Sequence, residues 1–327
     1  MPRGDKAAIM QYKFFLPEIS QQRKIGSDLL TINKKIELNR QTNQTLEQIA
    51  QAIFKSWFVD FEPVKAKIAA KQAGATAEQI ERAAMCAISG KTLDQLEQLD
   101  PDTLQQLKTT AALFPDALVD SELGEIPEGW SFIPLYETAK YVNGSAFKAS
   151  DFSSDEEGLP IIKIAELKQG ISAGTKFTKS VRPDKYFIRN DDVLYSWSGS
   201  PETSLDIFKW FGGDGWLNQH IFKLNFSSKE QKYFTYYLLK HMKPVLVATA
   251  KQKQTTGLGH VTIADMKRMK VPFPSVNLLS NFCQVVSSLY LKGSELVKEN
   301  HTLTNIRGSL LPKLLSGEFI IGSEQTN

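Results

Sequence analysis

Four short stretches between residues 166 and 257 carry side chains that could contact a ligand or take part in catalysis. The most basic of them reads KQKQTTG and follows a segment of helical character. Lysine suits phosphate oxygens, and amide and hydroxyl groups can reach both phosphates and the edges of DNA bases. We therefore predict that this stretch is a loop that contacts nucleic acid through Lys251, Gln252, Lys253, Gln254, Thr255 and Thr256.

Two further stretches add neutral polar side chains. Residues 196–200 read SWSGS and form a small turn after a predicted strand, and residues 218–220 read NQH after the glycine-rich turn FGGDGW. Amides can read adenine with two hydrogen bonds, but they also cap strands, and a single histidine is often a core residue. We add Ser198, Gln219 and His220 to the candidate DNA contacts.

Catalytic interpretations of these stretches lack the partners that the chemistry needs. Residues 196–200 have no G-x-S-x-G nucleophile elbow. Glu166 and Lys168 match half of a nuclease E-x-K motif without a well-placed upstream aspartate. The sequence SGKT at residues 89–92 has Met85 where a phosphate loop requires its first glycine. We predict no catalytic residue, no metal site and no cofactor; a metal-dependent nuclease is the enzymatic alternative.

The formal net charge of +3 is unevenly distributed along the chain. Residues 65–120 hold six Lys and Arg against eight Asp and Glu, whereas residues 217–272 hold ten against two. Such a local excess of positive charge is typical of a phosphate-binding face. A solvated lysine-rich surface would give the same pattern.

Composition places the chain among ordinary soluble proteins, with 42% hydrophobic and 23% charged residues. The N-terminal residues lack the features of a secretory signal, and no apolar run approaches the roughly 18 residues that a membrane span requires. Cys86 and Cys283 are far apart and lack metal-ligand spacing, so we expect free thiols. We predict a cytoplasmic protein that has no membrane partner.

A repeat links the two ends of the chain. Four residue pairs share one offset of 257 positions and include the motif N-x-T-L-x-x-I: Pro17 with Pro274, Asn43 with Asn300, Leu46 with Leu303, and Ile49 with Ile306. Proline is tolerated in the first turn of a helix, so each copy is expected to begin a helix near its proline.

Both copies carry heptad patterns, in which apolar residues recur every 3.5 positions and must bury against a partner helix. The seam positions are Ile25, Leu29, Ile32, Ile36, Asn39, Asn43, Leu46, Ala50, Ile53 and Trp57, and then Phe282, Val286, Leu289, Gly293, Leu296, Asn300, Leu303, Arg307, Leu310 and Leu314. We predict that the shared motif fixes helix register through Asn43, Leu46, Ile49, Asn300, Leu303 and Ile306. Alternatively, the seam is imperfect and its amides reach solvent.

Between the repeats the composition changes twice. Residues 65–120 are rich in Ala, Gln, Leu and charged residues and predict two or three short helices, one of them starting at Asp100 and Pro101. Residues 121–272 contain short β-rich runs separated by Gly, Pro, Asp and Ser, and one helical run, FTYYLLKHMKPVLVATA. The pattern predicts an α+β protein with one globular domain and two long helices.

Taken together, these stretches resemble type I restriction–modification specificity subunits. FFLPEISQQRKI and the helix ending in IFKSWFVDFEPVKAK are similar to the central conserved region of that family. LFPDALVDSELGEIPEGWSFIPL resembles the start of its second target-recognition domain, and DVLYSWSGS, LNQHIFKL and TTGLGHVTIADMKRMKVPFP resemble the strands and exit of that domain. LLPKLLSGEF resembles the distal conserved helix, so the resemblance covers nearly the whole chain.

The resemblance implies a domain organisation. The two long helices would pack as an antiparallel coiled coil beside one target-recognition domain. Residues 1–16 would be the exit strand of a preceding recognition domain, because IMQYKFFLP aligns with MKRMKVPFP at the same offset. The implied boundaries are 17–64 for the central conserved helix, 65–120 for a helical connector, 121–272 for the recognition domain and 273–327 for the distal helix.

The resemblance also implies a function: reading one half of a bipartite DNA target and scaffolding the methylation subunits, which in turn hold the restriction subunit. Catalysis would belong to those partners, since this sequence has no N-P-P-[FY] methyltransferase motif. The family has two recognition domains and this chain has one. The resemblance therefore implies either that the chain is a fragment or split product, or that it pairs with a second chain. The alternative function is a coiled-coil scaffold whose central domain binds protein.

Overall fold

The computed structural model describes residues 6–11, 16–122, 124–154, 157–254 and 257–316. Within them the helices are α1 (Lys6–Gln11), α2 (Ile19–Phe58), α3 (Glu62–Gln72), α4 (Ala77–Ser89), α5 (Leu93–Glu97), α6 (Pro101–Ala112), α7 (Ile164–Gln169), α8 (Pro201–Ser204), α9 (Lys229–Gln252), α10 (Ile263–Arg268) and α11 (Val276–Ser316).

The strands of the same residues are β1 (Leu118–Val119), β2 (Ile126–Pro127), β3 (Ser131–Pro134), β4 (Lys140–Asn143), β5 (Leu159–Ile162), β6 (Phe177–Thr178), β7 (Phe187–Ile188), β8 (Val193–Ser196), β9 (Ser198–Gly199), β10 (Asp206–Lys209), β11 (Gly215–Leu217), β12 (Ile221–Asn225), β13 (Gly259–His260) and β14 (Lys270–Phe273). Helices and sheets are thus mixed, which confirms the α+β class. The chain forms two compact units, one from residues up to Gln44 and from Glu295 onwards, the other from Thr45–Ser294.

The repeat predicted from the sequence is also a repeat of secondary structure. α2 and α11 each begin two residues after their proline and start 257 positions apart, and α1 and α10 match at the same offset. The two predicted long helices are confirmed. The strand predicted for residues 1–16 is wrong where it can be checked, because Lys6–Gln11 is helical. Its counterpart α10 likewise precedes the strand β14, and residues 12–15 lie outside the described residues.

In the unit formed by the chain ends, burial along α2 follows the predicted heptads. Ile25, Leu29 and Ile32 are half-buried, Ile36 and Asn39 are buried, and the positions between them are exposed. The period is confirmed because a stripe repeating every 3.5 residues faces one side of a helix.

Polar side chains of α2 and α11 meet in this unit. Arg307 Nη1 donates to Asn33 Oδ1 at 2.7 Å, and Asn39 Nδ2 donates to Glu299 Oε2 at 2.8 Å and to Asn300 Oδ1 at 3.1 Å. Partner numbers fall along α11 as they rise along α2, as in antiparallel helices. The knobs-into-holes packing of a coiled coil stays a prediction.

The residues predicted to fix register have different environments. Asn300 bonds to Asn39 rather than to its repeat partner Asn43, whose Oδ1 is buried without a hydrogen-bond partner among the described residues. Leu46 and Leu303 are half-buried. Ile49 and Ile306 are 45% and 39% exposed, so the prediction that they help to fix register is wrong. The seam itself follows the predicted heptads, by a step of four residues from Leu46 to the buried Ala50 and from Leu303 to the half-buried Arg307.

The core of the larger unit is aromatic. Near the end of α2, Phe54, Trp57 and Phe58 pack around Phe282 of α11, with ring centroids 5.0–5.9 Å apart, and Phe58 also contacts Phe234 of α9 at 5.3 Å. Each such side chain contributes roughly 1.5–3 kcal/mol on burial. α9, which confirms the helix predicted for FTYYLLKHMKPVLVATA, is therefore held between the two long helices of this unit.

The larger unit contains two four-stranded sheets, in the orders β10-β8-β12-β4 and β6-β5-β11-β7, and the strand pairs β1-β2, β13-β9 and β14-β3. In the first sheet β12 is antiparallel to both β4 and β8, and β10 is antiparallel to β8. The C-terminal ends of β4 and β8 therefore lie at the same end of the sheet as the N-terminal ends of β10 and β12. This end holds Asn143, Ser196, Asp206 and Ile221.

The connector contains four helices, α3 to α6, and not the predicted two or three, and the first of them begins at Glu62, before the predicted boundary at residue 65. Asp100 caps α6 by accepting a hydrogen bond from the Thr103 N–H, and Pro101 follows it, as predicted. Ala84, Met85, Leu96 and Ala111 give these helices a small core of their own. Across the described chain, every helix is too short or too polar to span a bilayer.

Candidate nucleic-acid interface

Four segments of the larger unit meet at one end of the β10-β8-β12-β4 sheet. Residues 143–145 end β4 and follow it, residues 197–199 follow β8, residues 218–220 precede β12, and residues 259–260 form β13. We call these four segments the polar edge. They carry amide, hydroxyl, indole and imidazole groups, which can exchange hydrogen bonds with a ligand without bringing net charge.

Glycine at position 144 allows two of these segments to touch. A Cβ atom at Gly144 would lie 2.1 Å from the carbonyl oxygen of Asn218, so no larger residue fits. The Gly144 N–H donates to Ile221 O at 3.0 Å, and the Ser145 N–H donates to Leu217 O at 2.8 Å. The turn after β4 is thereby fixed against the turn before β12.

A short strand pair holds the other two segments together. β9 pairs with β13 so that Ser198 lies opposite His260 and Gly199 opposite Gly259. A Cβ atom at Gly259 would lie 2.4 Å from Ala250 O, which shows how closely β13 approaches the end of α9. The segment that follows α9 is consequently tied to the exit of β8.

Trp197 lies at the centre of the polar edge. Its ring centroid is 5.7 Å from that of the exposed His220 and 5.8 Å from that of the buried Phe222, and its Nε1–H donates to Asn143 Oδ1 at 3.0 Å. The neighbouring Gln219 is half-buried, and its Oε1 has no hydrogen-bond partner within the described residues. A polar atom buried without a partner costs free energy, so Gln219 has an unmet hydrogen bond at this edge.

The structure brings some of the predicted contact residues together and separates others. Ser198, Gln219 and His220 all belong to the polar edge. Lys251 and Gln252 lie in the last turn of α9, so the predicted loop starts later, at the helix C-cap Lys253. Gln254 follows that cap, with its N–H donating to Lys251 O at 3.1 Å. Thr255 and Thr256 lie outside the described residues.

Each of the two predicted contact lysines has an acidic partner within the chain. Lys251 pairs with Glu202 of α8, and both side chains are exposed. Lys253 pairs with Asp265 of α10, which is 3% exposed. Burial alone would raise the pKa of Asp265, but hydrogen bonds from Lys253, Thr262 and Arg268 hold it well below its ordinary value. Lys253 therefore joins the end of α9 to α10, and its role as a DNA contact stays a prediction.

The positive charge of residues 217–272 is largely neutralised in the fold, contrary to the expectation of a phosphate-binding face. Eight of the ten cations form ion pairs, and most of the carboxylates come from outside this stretch. Lys223 pairs with Asp192, for example, and Lys240 with Glu47 and Asp206. The charge excess along the sequence is therefore not a charge excess on the surface.

The half-motif of a nuclease has a structural role. Glu166 is buried, its Oε2 accepts the N–H of Lys163 at 3.0 Å, and its Oε1 accepts the hydroxyl of Thr175 at 3.0 Å. Both oxygens cap α7 and its neighbouring turn, which gives this carboxylate a structural role. In the part of the chain that is described, no three His, Cys, Asp or Glu residues are grouped as metal ligands would be.

Sequence reasoning missed Asn143 and His260. Asn143 bonds to an indole 54 positions away, and His260 pairs with Ser198, 62 positions away. No local sequence pattern marks either side chain as a member of the site. Gly144, which follows Asn143, indicates only that the backbone is closely approached at this turn.

Comparison with known proteins now identifies the family. Residues 127–278 match the model of the type I restriction modification DNA specificity domain. The specificity subunit of the type I restriction enzyme HindI of Haemophilus influenzae is 33% identical over 315 residues, covering 93% of this chain and 68% of that protein. The specificity subunit of the MjaIX enzyme of Methanocaldococcus jannaschii is 24% identical, covering 93% of this chain and 60% of that protein.

Solved structures of specificity subunits are more distant. That of M. genitalium shares 18% identity and a TM-score of 0.43, covering 92% of this chain and 62% of that chain. The comparison with the Haemophilus protein, at one residue in three over nearly the whole chain, decides the matter. It confirms the resemblance seen in the sequence, and the chain belongs to the family of type I restriction enzyme specificity subunits.

Proposed function

We propose that this chain reads DNA sequence for a type I restriction–modification complex and does so through the polar edge. The proposal rests on the observation that predicted contact residues from separate parts of the sequence lie close together in the fold. Ser198 and the Gln219–His220 pair, selected as DNA contacts by residue type alone, lie at the same end of one sheet, beside β13 and the end of α9. Amide and hydroxyl groups can read base edges by hydrogen bonds, whereas phosphate contacts mainly position a protein.

The proposal assigns catalysis to other subunits. In it, the methylation subunits bind the long helices and supply methyl transfer, and the restriction subunit joins through them. This chain then needs no cofactor, and it acts in the cytoplasm where the chromosome lies. Glu166, the best candidate for nuclease chemistry, supports a non-catalytic role because both of its oxygens hold the fold.

One recognition domain reads one half of a bipartite target. The other half then requires a second recognition domain, which a second copy of this chain could provide. A symmetric pair would read a palindromic split target. Light scattering on the chain with its methylation subunit tests this, and we expect a mass that includes two copies. Only one copy per complex would contradict the dimer while leaving DNA reading intact.

The central test is selection from a library of randomised DNA duplexes by the chain assembled with its methylation subunit. We expect a defined sequence motif to be enriched, and binding to the best duplex to exceed binding to random duplexes by roughly 1,000-fold or more. Enrichment without any motif would contradict sequence reading and favour the alternative of a coiled-coil scaffold.

A further inference from the structure

The hydrogen bond between Trp197 and Asn143 fixes which end of the Asn143 amide faces outwards. An indole nitrogen can only donate a hydrogen bond, so the group that faces it must be the amide oxygen. The Nε1–Oδ1 distance is 3.0 Å. The Nδ2 amino group, which carries two donors, is therefore turned away from the indole. Asn143 is exposed, so this amino group is accessible.

Trp197 is itself held in place from several sides. Its N–H donates to His220 O at 3.3 Å, and its carbonyl oxygen accepts the Val261 N–H at 3.0 Å. Its ring lies beside Phe222, which stands directly opposite Asn143 across the paired strands β12 and β4. The backbone of Trp197 is therefore fixed, and the packing of its ring on Phe222 favours the indole position that faces the amide oxygen.

An unrestrained asparagine offers one donor and one acceptor, and it can therefore bind adenine through N6 and N7. Asn143, with its oxygen engaged by Trp197, offers donors. In the major groove, guanine presents two adjacent acceptors, O6 and N7. We infer that Asn143, oriented by Trp197, is a specificity-determining residue that selects guanine at one position of the DNA target. This inference rests on the proposed DNA reading.

The test repeats the selection from randomised duplexes with four variants of the full chain in its complex. Asn143→Asp replaces the outward donors by an acceptor, Asn143→Ala removes them, and Trp197→Phe releases the amide so that it can turn. Asn225→Asp is the matched control, because Asn225 is an exposed asparagine at the opposite end of β12 in the same sheet.

We expect the wild-type motif to contain one guanine that both Asn143 variants no longer select, with affinity for the wild-type duplex lowered roughly tenfold or more. Trp197→Phe should accept adenine as well as guanine at that position while keeping the rest of the motif. The control should match the wild type. Because Asn143 is exposed, its variants test the inference even if Trp197→Phe fails to fold.

Two outcomes overturn the inference in different ways. If the wild type selects a motif and the Asn143 variants select the same motif with unchanged affinity, this inference is wrong and the proposed function stands. If the wild type selects no motif at all, the proposed function is wrong and the inference is overturned with it.

Discussion

The basic stretch of residues 217–272 and the polar edge differ in how well the sequence predicts which groups the folded protein leaves available for a ligand. The basic stretch looks like a DNA-binding feature in the sequence, yet eight of its ten cations are paired with carboxylates of the same chain. The polar edge carries no charge signal, yet it gathers exposed and under-bonded polar groups in one place. Charge counted along a chain thus reports fold stability as readily as it reports a ligand.

The largest expected effect tests whether the basic stretch serves the fold. Lys240 lies 3.4 Å from Glu47 and 3.2 Å from Asp206, all mostly buried. Lys240→Ala leaves Glu47 without its cation and Asp206 with Lys243 alone, and we expect the free energy of unfolding in urea to fall by about 3 kcal/mol. Lys229→Ala, an exposed lysine on the same helix, should change it by less than about 0.5 kcal/mol. If the two variants were equally stable, the conclusion that the basic stretch serves the fold would be wrong.

The second prediction uses pH. Because the pKa of Asp265 is lowered by folding, its charge stabilises the protein above the unfolded pKa of roughly 3.9, and that contribution is lost as pH falls below it. Asp265→Asn should cost about 1–2 kcal/mol at pH 7, since it weakens a helix cap and charged hydrogen bonds. The gap to wild type should narrow on acidification in thermal melts. Glu202→Gln, an exposed control, should behave as the wild type does.

The third prediction concerns the polar edge. His220 is exposed and rests beside the Trp197 ring, so His220→Ala should leave the melting temperature unchanged while weakening binding to the selected duplex by roughly tenfold. Fluorescence anisotropy with a labelled duplex measures the change. A variant that melts earlier but binds normally would assign His220 to the fold and remove the contrast with the basic stretch.

The smallest expected effect separates two neighbouring lysines. Lys251 pairs with an exposed glutamate, an interaction weak enough to be exchanged for a phosphate, whereas Lys253 is committed to the buried Asp265. Lys251→Ala should reduce the slope of log affinity against log salt by about one unit. Lys253→Ala should reduce the slope by less than Lys251→Ala does, because a phosphate contact through Lys253 requires its ion pair with Asp265 to open. Equal reductions would show that this ion pair opens fully on DNA.

How much of this could be predicted from the sequence depended on the range of the interactions. The heptad pattern predicted burial along α2 from Ile25 to Asn39, since helix periodicity is a local property. It could not predict that Asn300 meets Asn39 instead of Asn43, because the offset between two helices is set by their packing. The polar edge was predicted in its parts, such as His220, but not as an assembly. The hydrogen bond between Trp197 and Asn143, for example, joins residues 54 positions apart.

The segment after α9 has a consequence for how recognition could change. Its first end is anchored where Lys253 meets Asp265, and its second where β13 lies against β9. Both anchors are formed by residues outside the stretch between Lys253 and Gly259, so we expect chain added or exchanged in that stretch to leave both anchors in place. Sequence changes in this stretch could therefore alter the contacts with DNA at little cost in folding free energy.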